Sequence, residues 1–537
     1  MSRRSGKKRR GAIPNGHRPS PSPQPPPRRW AAYLNPTRYG LLAVLVGVAT
    51  YRFIVLADEA APPGADPGNW LAFTHELFGT SVKAAASVYF PVIPVLLKAL
   101  LAFMPALMAT KVLGVGVSVA MGIPFYLILR RGCSPLLSAA LTLAFLLAGY
   151  QEELLDFGAY PQLLAATFLL FTIYWLMDGL ISGRRRPLLL AATSTALAAG
   201  THHFTLLLTA PTLLVLGAAL FIQERPVIRP FLRNAGIWAL ATAIFTLPFL
   251  PWYIKFLSLA EGNPSNANNF SVRDMNSVTN YVFHENRAFW LAMLVVAAVV
   301  LLVPLFRRPG AQIRPAALAL LAGPWVVFVV TGEVRTFQMI EAGIVLSLAI
   351  PAAAVEQHLS LTRVRVTVQQ VERLSLGLAV AALLTVIASS GHDRLTKQRA
   401  VYQIVDGPAL EALNWLHEHT PSNARVVAND SASRVSYAWW VEGYAERPTY
   451  SLIEPAFLSF AEEKEQSTLA TRLLDEDTPP SEVQDILQET GIEYIFLDKR
   501  TGGRFKPLLS KTTYHLSMEN DEFAILRLAP AEARAKP

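Results

Sequence analysis

Apolar runs of about 20 residues recur from Gly40 to residue 391, and they constrain this chain more than any motif does. A bilayer core about 30 Å thick is crossed by about 20 apolar residues of helix, so each such run is a candidate span. Composition agrees: of 537 residues 52% are hydrophobic and only 16% are charged, which a water-soluble fold of this length does not usually carry. The reading is therefore a polytopic α-helical membrane protein. From residue 392 onwards the chain turns polar and reads as soluble.

The formal charge of +9 does not point to nucleic acid, because the basic residues sit in short clusters between apolar runs and in the N-terminal tail. Residues 1–39 hold many Arg and Lys residues with Ser-Pro and Pro-Pro-Pro runs, the composition of a disordered cytoplasmic tail. Placing the clusters Arg130-Arg131, Arg184 to Arg186, Arg225 to Arg233, Arg307-Arg308 and Arg363 to Arg373 on the cytoplasmic side tests the topology. It is satisfied by eleven spans, at about 40–57, 109–129, 135–151, 161–182, 187–202, 204–222, 235–252, 288–306, 314–332, 337–355 and 374–391. Residues 40–391 thus form the membrane domain, with the C-terminus outside. Phe90 to Leu107, broken by Pro91, Pro94 and Pro105 and carrying Lys98, reads as a re-entrant or interfacial helix rather than a span.

On this topology the chemistry belongs outside, since the cytoplasmic connections are short and basic. They contain no phosphate-binding glycine loop and no HExxH pattern, so ATP hydrolysis and zinc proteolysis drop out. The first outer loop carries Asp58, Glu59 and Asp66 just beyond the first span. A second acidic segment, Gln151-Glu152-Glu153-Leu-Leu-Asp156, precedes Gly158, Tyr160 and Gln162. If it is helical, Glu152 and Asp156 share a face. Adjacent His202 and His203 end a tight hairpin in poor geometry for one metal, which favours hydrogen bonding or simple hairpin polarity. Arg335 stands almost alone before the tenth span; it pairs with Glu333, snorkels, or holds an anion.

Residues 392–537 are long enough for a core of their own and read as an extracytoplasmic α/β domain. Helices are expected from Pro408 to His419 and from Pro480 to Glu489, the second stopped by Gly491. Strands are expected at Arg425–Asn429, Glu493–Leu497 and, as an edge or final strand, Phe523–Arg527.

This arrangement, with Asp66-Pro-Gly-Asn-Trp70 and Leu77-Phe-Gly79 after the first span, a second acidic loop and an outer C-terminal domain, resembles the GT-C superfamily of membrane glycosyltransferases. The resemblance spans nearly the whole chain on short motifs and indicates no member family. It implies inverting transfer of a sugar from a polyprenyl-phosphate donor to an extracytoplasmic acceptor, a glycan, lipid or protein, in the cell membrane. Asp66 is then the base, although Asp-Pro-Gly is also an ordinary turn. Arg335 meets the donor phosphate, with Arg273 and Arg287 in second rank, and His202, His203, Tyr160 and Trp70 become possible substrate contacts. Asp66, Glu152 and Asp156 form a possible Mg²⁺ or Mn²⁺ set, although this chain lacks the compact Asp-X-Asp form. Tyr437 to Pro448 faintly resembles the Trp-Trp-Asp motif of oligosaccharyltransferases, with Val441 where the aspartate belongs, and equally suits core packing. Two alternatives stay open: a lipid-sugar flippase, and a non-catalytic envelope-assembly protein.

Overall fold

A computed structural model describes residues 36–80, 82–259, 311–331, 334–361, 402–429, 436–453 and 458–529, with single positions 295, 297, 298, 301 and 455. Most of the basic tail and of the expected span 288–306, together with the expected span 374–391, Glu333, Arg273 and Arg287, lie outside the described residues.

Seven helices among the described residues are long and apolar enough to cross a membrane: Tyr39–Ala57, Ala106–Leu129, Tyr160–Ser182, His203–Glu224, Ile228–Leu259, Arg314–Thr331 and Phe337–Ala354. Their outward faces explain why a bilayer is needed. Leu42, Ile54, Leu240, Ile254 and Leu257 are all more than half exposed, an arrangement that lipid solvates and water does not. The expected spans at 135–151 and 187–202 are shorter helices, Pro135–Leu146 and Arg185–Ala199, of 12 and 15 residues. They rise only about 18 and 22 Å, less than the hydrocarbon thickness. The first stops because Ala148 turns extended and Gly149–Phe157 begins a separate helix. The expected span at 235–252 is instead part of a longer run from Ile228 to Leu259, carried through a 3₁₀ turn at Leu247–Phe249. Val92–Leu101 is a helix of 10 residues, about 15 Å long, too short to cross.

The helices that matter for the site are α1 (Pro36–Ala57), α2 (Asp66–Leu77), α3 (Val92–Leu101), α4 (Ala106–Ala120), α5 (Gly122–Leu129), α6 (Pro135–Leu146), α7 (Gly149–Phe157), α8 (Tyr160–Ser182), α9 (Arg185–Ala199) and α10 (His203–Glu224). After them come α11 (Ile228–Thr246), α12 (Leu250–Leu259), α13 (Arg314–Thr331) and α14 (Phe337–Leu361). The first outer segment is therefore not an open loop. It folds into α2 and α3, because Pro67 suits a first helical turn and Trp70, Leu71 and Phe73 give α2 a buried face.

Beyond residue 402 the chain forms a five-stranded mixed sheet. Its strands are β1 (Arg425–Ala428), β2 (Thr449–Ser451), β3 (Ile492–Asp498), β4 (Tyr514–Glu519) and β5 (Phe523–Leu528), in the order β2-β1-β3-β5-β4. β1 pairs parallel with β2 and β3, whereas β5 pairs antiparallel with β3 and β4. β5 is the final strand but lies inside the sheet, not at its edge, because β4 covers it. The expected helices are present: Gly407–His419 starts at Asp406, whose side chain accepts the Ala409 amide, and Pro480–Thr490 ends on left-handed Gly491.

Strand alternation divides the core. Val427, Ile495, Leu497 and Leu526 face one cluster with Leu473, Ile486 and Leu487. Val426, Ala428, Phe496 and Ile525 face the other, which continues without a break through Trp440 and Trp70 into the membrane helices. The sheet is thus joined to the membrane half by shared apolar packing.

Candidate functional site

α2 packs against the short helix Ala438–Gly443, which lies between β1 and β2 in the chain. Trp440 is fully buried and donates from its indole nitrogen to the Gly64 carbonyl at 2.9 Å. Gly68 and Gly443 bring the two backbones into direct contact, an approach that any side chain would block. Lys83 adds a buried ion pair with Glu442 at 3.1 Å, and Glu463 lies 3.9 Å away. Burial alone would lower the Lys83 pKa, but the two carboxylates more than offset this and raise it. Burial pushes Glu463 up to about 7, against the pull of Lys83. Trp440, Glu442 and Gly443 are therefore committed to docking the segment from Gly64 to Lys83 onto the sheet-bearing half.

A second interlock fixes Asp66. Gly64 and Gly158 both adopt left-handed backbone, at φ +87° and +86°, which residues with a Cβ rarely take. A Cβ on Gly64 would strike the Phe157 carbonyl, and one on Gly158 would strike Pro67. Trp70 ties the two turns together by donating to the Gly158 carbonyl at 2.7 Å. Trp70 is buried and serves this contact, so its indole donor is already used.

Asp66 itself has no hydrogen-bond or ion-pair partner among the described residues. Its carboxylate keeps some accessible surface yet lies deep within protein, and this loss of water pushes its pKa up to about 7, with Arg335 pulling it down. Arg335 occupies the 3₁₀ turn Val334–Thr336 between α13 and α14. Gln162 holds that turn, donating to the Arg335 carbonyl at 3.2 Å and to Gln338 Oε1 at 3.1 Å. Gln338 donates in turn to Gln151 at 3.3 Å, and the Tyr150 amide donates to Glu341 at 3.3 Å. A buried amide network thus anchors Arg335 to α7 and α8. The Arg335 guanidinium acts electrostatically on Asp66, Tyr89, His202 and His203, which makes these residues one neighbourhood.

The second acidic segment is helical, as α7, but its carboxylates diverge. Glu152 pairs with buried Arg52 of α1 at 2.9 Å, and Arg52 also donates to the Leu146 carbonyl. Glu153 accepts from the Tyr402 hydroxyl at 3.3 Å, while Asp156 is buried. Among the described residues no three His, Cys, Asp or Glu side chains are placed to hold a metal ion. Asp66, Glu152 and Asp156 do not fit together as a ligand set, because Glu152 is drawn to Arg52.

His202 caps α10: its Nδ1 accepts the Thr205 amide at 3.2 Å, so in the neutral ring the proton sits on Nε2. His203 packs within 5.1 Å of the Phe256 ring, measured between centroids, and its Nδ1 is buried without a partner. The rings of Tyr89, Phe90, Tyr253, Phe256 and Phe460 continue this wall, with Phe90 to Tyr253 at 4.6 Å and Phe256 to Phe460 at 5.6 Å. Tyr89, whose ring is tilted against that of Trp70 with centroids 4.8 Å apart, escaped sequence reasoning. Its only signal was an aromatic pair before Pro91. Burial raises the Tyr89 pKa well above the ordinary phenol value, with Arg335 opposing.

No protein-family description and no curated sequence relative matches the chain. Solved structures do. ArnT from Cupriavidus metallidurans bound to undecaprenyl phosphate matches with TM-score 0.55 and 13% identity over 91% of this chain and 98% of that one. The Archaeoglobus fulgidus oligosaccharyltransferase tethered with an acceptor peptide matches with TM-score 0.53 and 13% identity over 87% of this chain and 70% of that one. The mycobacterial arabinofuranosyltransferase AftD matches with TM-score 0.53 and 15% identity over 93% of this chain but only 41% of that one. The chain shares its overall fold with these structures.

Proposed function

We propose that this protein is a glycosyltransferase that moves a sugar from a polyprenyl-phosphate donor to an extracytoplasmic acceptor, with inversion at the anomeric carbon. One observation carries the reading: Asp66, a carboxylate without a partner and held near neutral pKa, shares a neighbourhood with Arg335 although 269 residues separate them. The acceptor oxygen attacks the anomeric carbon as the bond from that carbon to the phosphate oxygen breaks. Asp66 takes the acceptor proton, and the electron pair leaves with the lipid phosphate, whose new charge Arg335 meets with its planar fork. A base with a pKa near the operating pH combines availability with proton affinity.

The lipid chain enters from the bilayer between helices, which sets its phosphate at the depth of Arg335. A cytoplasmic N-terminus and an outer sheet domain complete the topology, with the Val92–Leu101 helix lying at the interface. The bound ArnT and oligosaccharyltransferase structures, which hold a lipid phosphate and an acceptor peptide respectively, support this reading through the shared fold.

The test is purified protein in lipid nanodiscs given a panel of polyprenyl-phosphate sugars, with and without divalent ion. Transfer or hydrolysis with one donor class is expected, and dependence on the ion measures the metal requirement. Movement of an intact lipid-sugar across the bilayer without turnover would instead identify a flippase. Binding to envelope polymers with no donor affinity would identify an assembly protein.

A further inference from the structure

We infer that residues 82–88 form a strap that the sheet-bearing half holds closed against α2, and that Lys83, Glu442 and Glu463 are its latch, which loosens as pH rises toward neutrality. Among the described residues the backbone of the strap bonds to side chains only. Glu442 accepts the Ala84 amide at 3.1 Å, Glu462 accepts the Ala86 amide at 2.8 Å, and the Gln466 amide donates to the Ala84 carbonyl at 2.6 Å. All three partners belong to the sheet-bearing half, Glu442 on the short helix Ala438–Gly443 and the other two on the helix Ala461–Leu474. A strand or helix keeps its backbone ladder when one side chain changes. This segment has no ladder to keep.

Lys83 carries the latch from the strap side. Its ammonium lies 3.1 Å from Glu442, 3.9 Å from Glu463 and 3.2 Å from Asn69 Oδ1 of α2, and stands 4.7 Å from the centre of the Phe73 ring. The Lys83 and Glu442 side chains are almost fully buried, so one enclosed cation faces two carboxylates. Glu462 and Glu76 of α2 add negative charge, and Glu76 Oε2 is buried without a hydrogen-bond partner. Of the other cations, Lys255 of α12 acts on Glu76, and Arg472, further along the helix of Glu463, pairs with Glu482. A small polar cavity lined by Lys83, Ala85, Trp439, Glu442, Ser451 and Glu463 adjoins the cluster.

The charge count sets the direction. With a proton on Glu463, Lys83 and Glu442 balance; without it, the latch holds an uncompensated buried negative charge. Burial, helped by the neighbouring carboxylates and opposed by Lys83, raises the Glu463 pKa from 4.5 to about 7. The closed strap therefore binds more protons than an open one in which Glu463 meets water, and closure weakens as pH rises between those two values. The strap runs on into Tyr89 and Phe90, whose rings lie 4.8 Å from Trp70 and 4.6 Å from Tyr253. Phe460, just before the helix that holds the strap, packs on Phe256 at 5.6 Å. Strap and latch helix thus end on the same aromatic wall, and releasing one loosens the other's hold on it.

The experiment follows hydrogen exchange of residues 82–88 by mass spectrometry in the nanodisc-embedded protein at about pH 6 and about pH 8. Each rate is divided by that of the same sequence as a free peptide, which removes the chemical pH dependence. Protection is expected to fall about tenfold between the two pH values. Glu463→Gln, which keeps the shape and removes the titration, should hold protection equal at both, whereas Asp66→Asn should leave the fall in place. Lys83→Met strips the cation from the latch and should lower protection at both. Exchange of β3 serves as the reference and should be alike in all four proteins; if Glu463→Gln disturbs it, Lys83→Met reads the same latch. Equal protection at the two pH values in the unaltered protein, a fall that an intact Glu463→Gln retains, a fall that Asp66→Asn abolishes, or full protection in Lys83→Met would each overturn the inference. Neither donor nor acceptor is present, so this inference and the glycosyl-transfer reading fail separately.

Discussion

Two carboxylates enclosed in protein are treated in opposite ways. Asp498 at the end of β3 has no exposure and is fully engaged: the Arg500 backbone amide, the Arg500 guanidinium at 2.8 and 2.9 Å, and the Tyr437 hydroxyl at 3.2 Å all donate to it. Asp66 is enclosed as well, but no hydrogen bond or ion pair among the described residues engages it, and the Arg335 guanidinium acts on it electrostatically. Burying a charge costs free energy that hydrogen bonds normally offset, so Asp498 reads as structure. Asp66 keeps its penalty, which its neighbours do not relieve. A group left in that condition is available for a ligand's proton, and this difference is why the proposed chemistry is assigned to the membrane half rather than to the sheet.

This contrast breaks most visibly if Asp66→Asn retains transfer. The expected loss in kcat is about 10²- to 10⁴-fold, measured with the working lipid-phosphate sugar, while donor affinity is kept. Arg335→Ala should act on the other half of the site and weaken donor binding about 10- to 100-fold in a titration, with Arg335→Lys restoring only part because it lacks the fork. Asp498→Asn should do the reverse, lowering stability by about 2 kcal/mol in thermal unfolding while leaving the pH dependence of transfer unaltered.

The smallest effect concerns stability against pH. The native pKa of Asp66 is raised, from 3.8 to about 7, so between those values the folded protein binds more protons than the unfolded chain. Stability therefore falls as pH rises from about 4 to about 7, by at most about 1.4 kcal/mol per pH unit from this group, and levels off above. Glu463 adds to the same slope. Asp66→Asn should flatten it and unfold at a higher temperature than the unaltered protein at pH 8.

The division between membrane half and sheet half was readable from hydropathy, and so was the helix from Pro480, whose stop at Gly491 is a local backbone signal. Local patterns also singled out Asp66 and Arg335, one following the first span and the other nearly alone on its side. What patterns cannot carry is commitment. Glu152 reads as a free acid until Arg52, 100 residues earlier, is seen beside it. Trp70 reads as a possible substrate contact until its indole N–H is seen donating to the Gly158 carbonyl. Likewise α2 was hidden in an apparent loop because the segment that packs on it, Trp439 to Gly443, lies far downstream in the sheet-bearing half. Span lengths were overestimated at 135–151 for a different reason: hydropathy does not register that Ala148 turns extended within an apolar stretch.

The central claim is that Asp66 is the base whose charge state gates transfer, and the pH dependence of kcat/KM tests it most directly. With the working donor and a saturating acceptor, the account predicts an acid limb with its midpoint near about 7, lost from whatever residual rate Asp66→Asn retains. A rate that is flat from about pH 5 to about pH 9, or an Asp66→Asn variant that transfers sugar as the unaltered protein does, would contradict it.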